Sequence, residues 1–138
     1  EDEWCCTSPV LRTGMTDLTY GFAEHTITAT ERRGAKAMVT TCAGCYKTTT
    51  RDFGRYYSNP TFEVHHFSQY VQRLIKEKRL KLTREIKAKV TYHDPCHLGR
   101  HGRVFEPPRE VLKAIPGLEL LRRQHRGREG AGGRGHRR

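Results

Sequence analysis

The sequence runs to 138 residues with 26 Lys and Arg against 15 Asp and Glu, a formal net charge of +11, and only 35% of it is apolar. That length builds one domain-sized core and not two, and no apolar run approaches the ~20 residues a membrane-spanning helix needs. Five cysteines, an odd count with two adjacent and no charged-then-apolar leader before them, argue against an exported disulfide framework. They point to metal ligands or redox thiols in a reducing, cytoplasmic setting. The first residue is Glu1, so processing or truncation is expected to have removed the true start.

Along the chain, Cys5-Cys6 comes first, in a segment with no periodic pattern. Asp17 to Arg33 reads as a helix with Leu18, Phe22 and Ala23 inward, although Thr26, Thr28 and Thr30 weaken it. Lys36–Thr41 is a short buried strand that delivers the chain to Cys42, and Ala43 to about Phe53 follows as a helix stopped by Gly54. Thr61–His66 alternates with period two, as a half-buried strand does. Phe67, Tyr70, Val71, Leu74 and Ile75 then recur at helical spacing, opposite Gln69, Gln72, Arg73, Lys76 and Glu77, with Ser68 as the expected N-cap.

Lys89–His93 is a further strand, ended by Pro95. Pro107 and Pro108 open a helix whose inner face is Val111, Leu112 and Ile115, and Pro116-Gly117 ends it. Leu118–Leu121 is a last strand. Residues 122–138 hold seven arginines, five glycines and nothing apolar larger than alanine, so they are expected to be a disordered basic tail carrying +6 of the net charge. Strands alternating with helices predict an α/β fold, a mostly parallel sheet with flanking helices and cysteines at the carboxyl ends of its strands.

Those carboxyl ends form the crevice in which such sheets bind ligands. Cys42-Ala-Gly-Cys45 and Cys96, within Tyr92-His-Asp-Pro-Cys-His97, both follow predicted strands. They are expected to converge there, joined by Cys5-Cys6. Thiols three residues apart at a helix start point to one centre, and the helix amides favour their thiolates. Adjacent cysteines suit a single zinc less well than a cluster of several irons. A redox dithiol at Cys42 and Cys45 remains open on spacing alone, as do a merely buried Cys96 and a structural rather than catalytic His97. His65-His66 reads as a strand end, and Arg12, Arg100 and Arg103 as solvated cations or an anion site.

Cys5-Cys6-Thr-Ser-Pro-Val-Leu-Arg-Thr-Gly14, then 35 residues between Cys6 and Cys42, then Cys42-x-x-Cys45, resembles the cysteine-rich CCG domain of heterodisulfide reductase catalytic subunits. It is similar also to the iron–sulfur subunits of glycolate and lactate oxidation systems. Tyr92-His-Asp-Pro-Cys-His-Leu-Gly-Arg100 with Pro108–Gly117 looks like the opening of that family's second repeat. The resemblance spans residues 1 to about 121, with Thr7 where the family motif has glycine and Gly132-Gly133 near where its second Cys-Cys-Gly falls.

The resemblance implies residues 1–90 as the C-terminal part of a first repeat, 91–121 as the start of a second, and 122–138 as the tail. It implies that Cys5, Cys6, Cys42 and Cys45 ligate a 4Fe–4S centre of non-cubane type and that Cys96 opens a second. It also implies reduction of a disulfide one electron at a time, and other redox subunits as partners, with membrane association only through one of them; His97, flanking Cys96, is the candidate catalytic group from its place beside the predicted crevice. An organic acid is the alternative substrate. A shifted reading frame or gene boundary after Leu121, in an internal piece of a larger protein, is the expectation for the missing later cysteines. Two other functions stand beside this one: a structural zinc module, and nucleic-acid binding by the arginine–glycine tail. The tail lacks the aromatics for base stacking that such RNA-binding segments use, and no DNA partner is expected.

Overall fold

The computed structural model describes residues 3–57 and 60–121; the expected disordered tail lies outside the described residues. The elements run α1 (Ser8–Arg12), α2 (Thr16–Arg32), β1 (Ala37–Thr40) and α3 (Ala43–Lys47), then β2 (Glu63–His66) and α4 (Phe67–Lys76). The second part continues with β3 (Ala88–Thr91), α5 (Glu106–Lys113) and β4 (Leu118–Leu121). The α/β reading holds. All the strand pairing among the described residues is parallel, laid down as two separate two-stranded ladders, β1 with β2 and β3 with β4. Ala37 stands opposite Glu63 and Thr40 opposite His66 in the first, Ala88 opposite Leu118 and Thr91 opposite Leu121 in the second.

Each ladder is joined by a helical crossover, and both crossovers depart from α geometry. After α3 the chain widens into a π turn over Thr48–Asp52 and tightens into a 3-10 turn over Phe53–Arg55. Gly54 therefore sits inside the last helical turn instead of stopping it. After Cys96 a second π turn runs over His97–His101, a feature the spacing of apolar residues does not announce. The strand expected from Thr61 starts two residues later because the Thr61 amide donates to the Glu31 carboxylate at 3.0 Å instead of to the ladder. The strand expected over Lys89–His93 occupies Ala88–Thr91, and Tyr92 and His93 leave the ladder to line a cavity.

Two hydrophobic clusters hold these pieces. Ala23 and Ile27 of α2 pack with Phe53 and Phe62, and Tyr46 of α3 packs with Leu98 and Val104. Val64 of β2 touches both. The inner face of α2 is thus Thr19, Ala23 and Ile27, while Leu18, expected inside, is 55% exposed. In α4, Val71 and Ser68 are buried and Phe67 is half out in solvent. Ser68 does not cap α4. His66 does: its imidazole accepts the Ser68 amide while the Gln69 side chain accepts the His66 amide, a reciprocal cap. Gln72 and Lys76 of α4 reach Glu110 of α5, tying the helix after the first ladder to the crossover of the second.

Candidate functional site

β1 ends at Thr40, and the chain stays extended to Cys42, whose φ of −95° and ψ of 126° make it the residue just ahead of α3. Its sulfur lies beside the first amides of that helix. The Cys45 N–H chiefly, with Gly44 N–H and the Cys45 thiol, holds the Cys42 pKa below the ordinary thiol value, against a partial burial that raises it. Cys45, one turn along, has the opposite environment. Burial first, then contact with Cys6 and Cys42 and their charge, push its pKa up to about 12. Cys42 is therefore the more readily ionised thiol of the pair and Cys45 the less.

Cys5 and Cys6 arrive from another direction, ahead of α1. Thr7 turns the chain with φ 57° and ψ 12°, the left-handed region that β-branched residues avoid. In that conformation its amide donates to Cys5 Sγ at 3.3 Å and its hydroxyl to the Cys6 carbonyl at 2.7 Å. Cys5, Cys6, Cys42 and Cys45 all line one cavity of about 690 Å³, walled also by Thr26 of α2 and by Met38 and Thr40 of β1, with Trp4 at its rim. Trp4 stacks on His25 with ring centroids 3.7 Å apart.

The donor set is four soft sulfurs, which selects zinc, copper(I) or iron–sulfur chemistry over hard cations. Among the described residues no three His, Cys, Asp or Glu side chains close on one point for a single metal ion. Cys45 touches both Cys6 and Cys42, and all four thiols line the one cavity, a soft donor set that a cluster of several irons accommodates.

Cys96 is not brought to this cavity, contrary to the expected convergence of all three cysteine groups. β3 ends at Thr91, and the loop to Cys96 carries it into a separate cavity of about 750 Å³ with Tyr92, Asp94, Arg100 and Arg109. There Arg109 pairs with Asp94 at 2.5 Å and lies 5.7 Å over the Tyr92 ring. Burial, with the Asp94 charge, raises the Tyr92 pKa.

His97 joins the two regions. It follows Cys96, yet its Nδ1 stands 3.5 Å from where a side chain on Gly44 would begin, a point also 3.5 Å from Cys42 Sγ and 3.4 Å from Ser8 Oγ. Burial, then the charges of Arg12, His101 and Lys47, lowers its pKa and favours the neutral imidazole. Arg12, read from sequence as a solvated cation or anion ligand, donates to Ser8 Oγ at 3.2 Å. His65 pairs with Glu63 at 2.9 Å and is not among the residues lining the cysteine cavity. Thr26, Thr40 and Trp4 were not legible as site residues, because only the packing of α2 and β1 against the cysteine segment places them there.

Residues 1–49 and 90–131 match the family described as CCG, Cysteine-rich domain. The chain is 42% identical over 125 residues to a dihydromethanophenazine:CoB–CoM heterodisulfide reductase subunit of Methanosarcina acetivorans, covering 88% of this chain and 31% of that protein. It is 37% identical over 123 residues to a CoM/CoB fumarate reductase subunit of Methanothermobacter marburgensis, covering 89% and 24%. It is 34% identical over 131 residues to a probable iron–sulfur-binding oxidoreductase, FadF, of Bacillus subtilis, covering 88% and 18%. The chain spans less than a third of the length of these curated relatives. No solved structure gives a significant match.

Proposed function

The chain belongs to the cysteine-rich CCG domain family, and from that membership we propose that it is part of an iron–sulfur oxidoreductase in which Cys5, Cys6, Cys42 and Cys45 hold a 4Fe–4S centre of non-cubane type. The observation that carries the reading is the convergence of these four thiols on one cavity, with Cys45 in contact with both Cys6 and Cys42. The names of the relatives, among them a heterodisulfide reductase subunit and an iron–sulfur-binding oxidoreductase, support the same class. Cys96, in its own cavity, opens a second centre.

When bound, the cluster supplies single electrons at a sulfur-ligated iron. The chain's own residues set the conditions. The α3 amides favour the thiolate form of Cys42, the form a metal binds, and partial burial favours the protonated form of Cys45. Thr7 fixes the turn that brings Cys5 and Cys6 to the same cavity. The substrate we assign is a disulfide, taken to two thiols by two electrons and two protons, with His97 as the group that handles a proton beside Cys42. An organic acid is the alternative substrate. Partners are other redox subunits in the cytoplasm. No helix among the described residues is long and apolar enough to cross a membrane, so membrane association would come through a partner.

Oxygen-free reconstitution with iron and sulfide tests this. A brown protein is expected, with iron and acid-labile sulfide in similar amounts and a paramagnetic resonance signal. Cys42→Ser and Cys45→Ser should each lose most of that iron, whereas Cys96→Ser keeps it. A colourless protein holding one zinc, or one taking up no iron, overturns the proposal.

A further inference from the structure

We propose that Thr26 and Thr40 are the hydrogen-bond donors through which the cavity wall addresses the sulfur of the centre that the four cysteines hold; the inference rests on the iron–sulfur reading above and assigns its positioning residues. Both threonines line the cysteine cavity, one from α2 and one from β1. Both hydroxyl oxygens are buried and have no hydrogen-bond partner. A buried hydroxyl without a partner is costly and uncommon in a folded chain.

Other helical threonines here behave differently. Thr19, Thr30 and Thr50 return their hydroxyls to the carbonyls of Met15, Thr26 and Tyr46, four residues back, at 3.5, 2.7 and 2.7 Å. That is the usual resting place of a threonine in a helix. Thr26 lies on the same helix as Thr19 and Thr30, and no carbonyl takes its hydroxyl. Thr48 supplies an internal control: its hydroxyl is equally buried and unpartnered, but it does not line the cavity.

Threonine's hydroxyl and methyl are nearly equal in size, and its χ1 has two accessible wells in a helix. Exchange of methyl for hydroxyl by a χ1 rotation is the movement the proposal asks of Thr26 in α2 and of Thr40 in β1, and it would turn the donor to the cavity. Thiolate and sulfide sulfurs accept such bonds. They stabilise the more negative, reduced form and so raise the reduction potential.

The test compares Thr26→Val, Thr40→Val and the double variant with the serine substitutions and with Thr48→Val, all reconstituted with iron and sulfide. Potentials are read by redox titration followed by paramagnetic resonance, and coupling to exchangeable protons is read in deuterated water. The double valine variant should show a roughly tenfold lower ratio of reduced to oxidised centre at fixed potential, a negative shift of about 59 mV for one electron. It should also lose exchangeable-proton coupling. The serine variants and Thr48→Val should match the parent. In the cluster-free chain the valine variants should melt higher than the parent, because an unpaired hydroxyl has been removed.

A double valine variant that assembles with the parent's potential and coupling overturns the inference and leaves the iron–sulfur reading standing. Valine and serine variants that fail alike to assemble show a packing role and also overturn it. A parent that takes up no iron overturns both.

Discussion

The most constrained single residue near the cysteines is Thr7. A left-handed β-branched residue carries about 1–2 kcal/mol of strain, and glycine, which fits φ 57° freely, gives back up to about 1 kcal/mol in unfolded-chain freedom. The Thr7 side chain is fully buried, so Thr7→Gly also loses its methyl packing and its bond to the Cys6 carbonyl and should lower stability by roughly 1 kcal/mol in urea unfolding; a gain in stability would show that the strain outweighs both. The left-handed turn gives physical content to the glycine that the Cys-Cys-Gly motif carries at that place. The thiols differ just as sharply. Iodoacetamide at pH 8 should label Cys42 well before Cys45, as read by peptide mapping, because the Cys42 pKa is lowered and the Cys45 pKa raised. Cys45, raised from 9.0 to about 12, keeps its proton in the folded chain after the unfolded chain has lost it. Its contribution is therefore present below pH 9.0 and is lost as pH climbs through that window.

At the scale of elements, the π turn after α3 has a direct electrostatic use. Lys47 and Asp52 are five residues apart, a spacing that an α-helix places on different faces, yet the widened turn over Thr48–Asp52 sets Lys47 Nζ 2.7 and 2.9 Å from the two carboxylate oxygens. Both side chains are largely buried, at 18% and 10% exposure. Lys47→Met should cost about 2 kcal/mol by leaving Asp52 unpaired, and Lys47→Met with Asp52→Leu should recover most of it; equal losses in the single and double variants would argue against the pairing.

The cap of α4 makes a pH-dependent element. His66 accepts the Ser68 amide only as neutral imidazole, and burial lowers its pKa from 6.5, against a smaller raising contact with the Thr41 backbone. Its contribution is full above pH 6.5 and is lost as pH falls toward the lower folded value. His66→Asn, a good cap without a titration, should flatten the dependence of melting temperature on pH below neutrality. An unchanged slope would place the acid sensitivity elsewhere.

Across the whole molecule, the two βxβ units meet where Tyr46 of the first packs on Leu98 and Val104 of the second. Gly102 sits at that seam: a Cβ there would come 2.5 Å from the Leu98 carbonyl and 3.0 Å from the Tyr46 ring. Gly102→Ala should therefore destabilise by about 2–3 kcal/mol, measured in urea, and pull His97 away from Gly44. Wild-type stability in that variant would mean the seam is looser than the packing implies. The strand–helix alternation, the α4 stripe and the Cys42–Cys45 site at a strand end were legible, because each follows from local periodicity or from a turn residue. Leu18 and Phe67 misled, since spacing identifies an apolar face without saying whether anything covers it. The π turns, the His66 cap and the threonine wall depend on which segments meet in space, and no local pattern encodes that.

Trp4 is the chain's one tryptophan. It precedes Cys5, lines the cavity and stacks face to face on His25 at its rim. The molecule consequently carries its own optical gauge: indole emission reports directly on whatever enters beside the thiols. Filling of the cavity can be followed continuously in a sealed cuvette, without a label, and compared in real time across every cysteine and threonine variant.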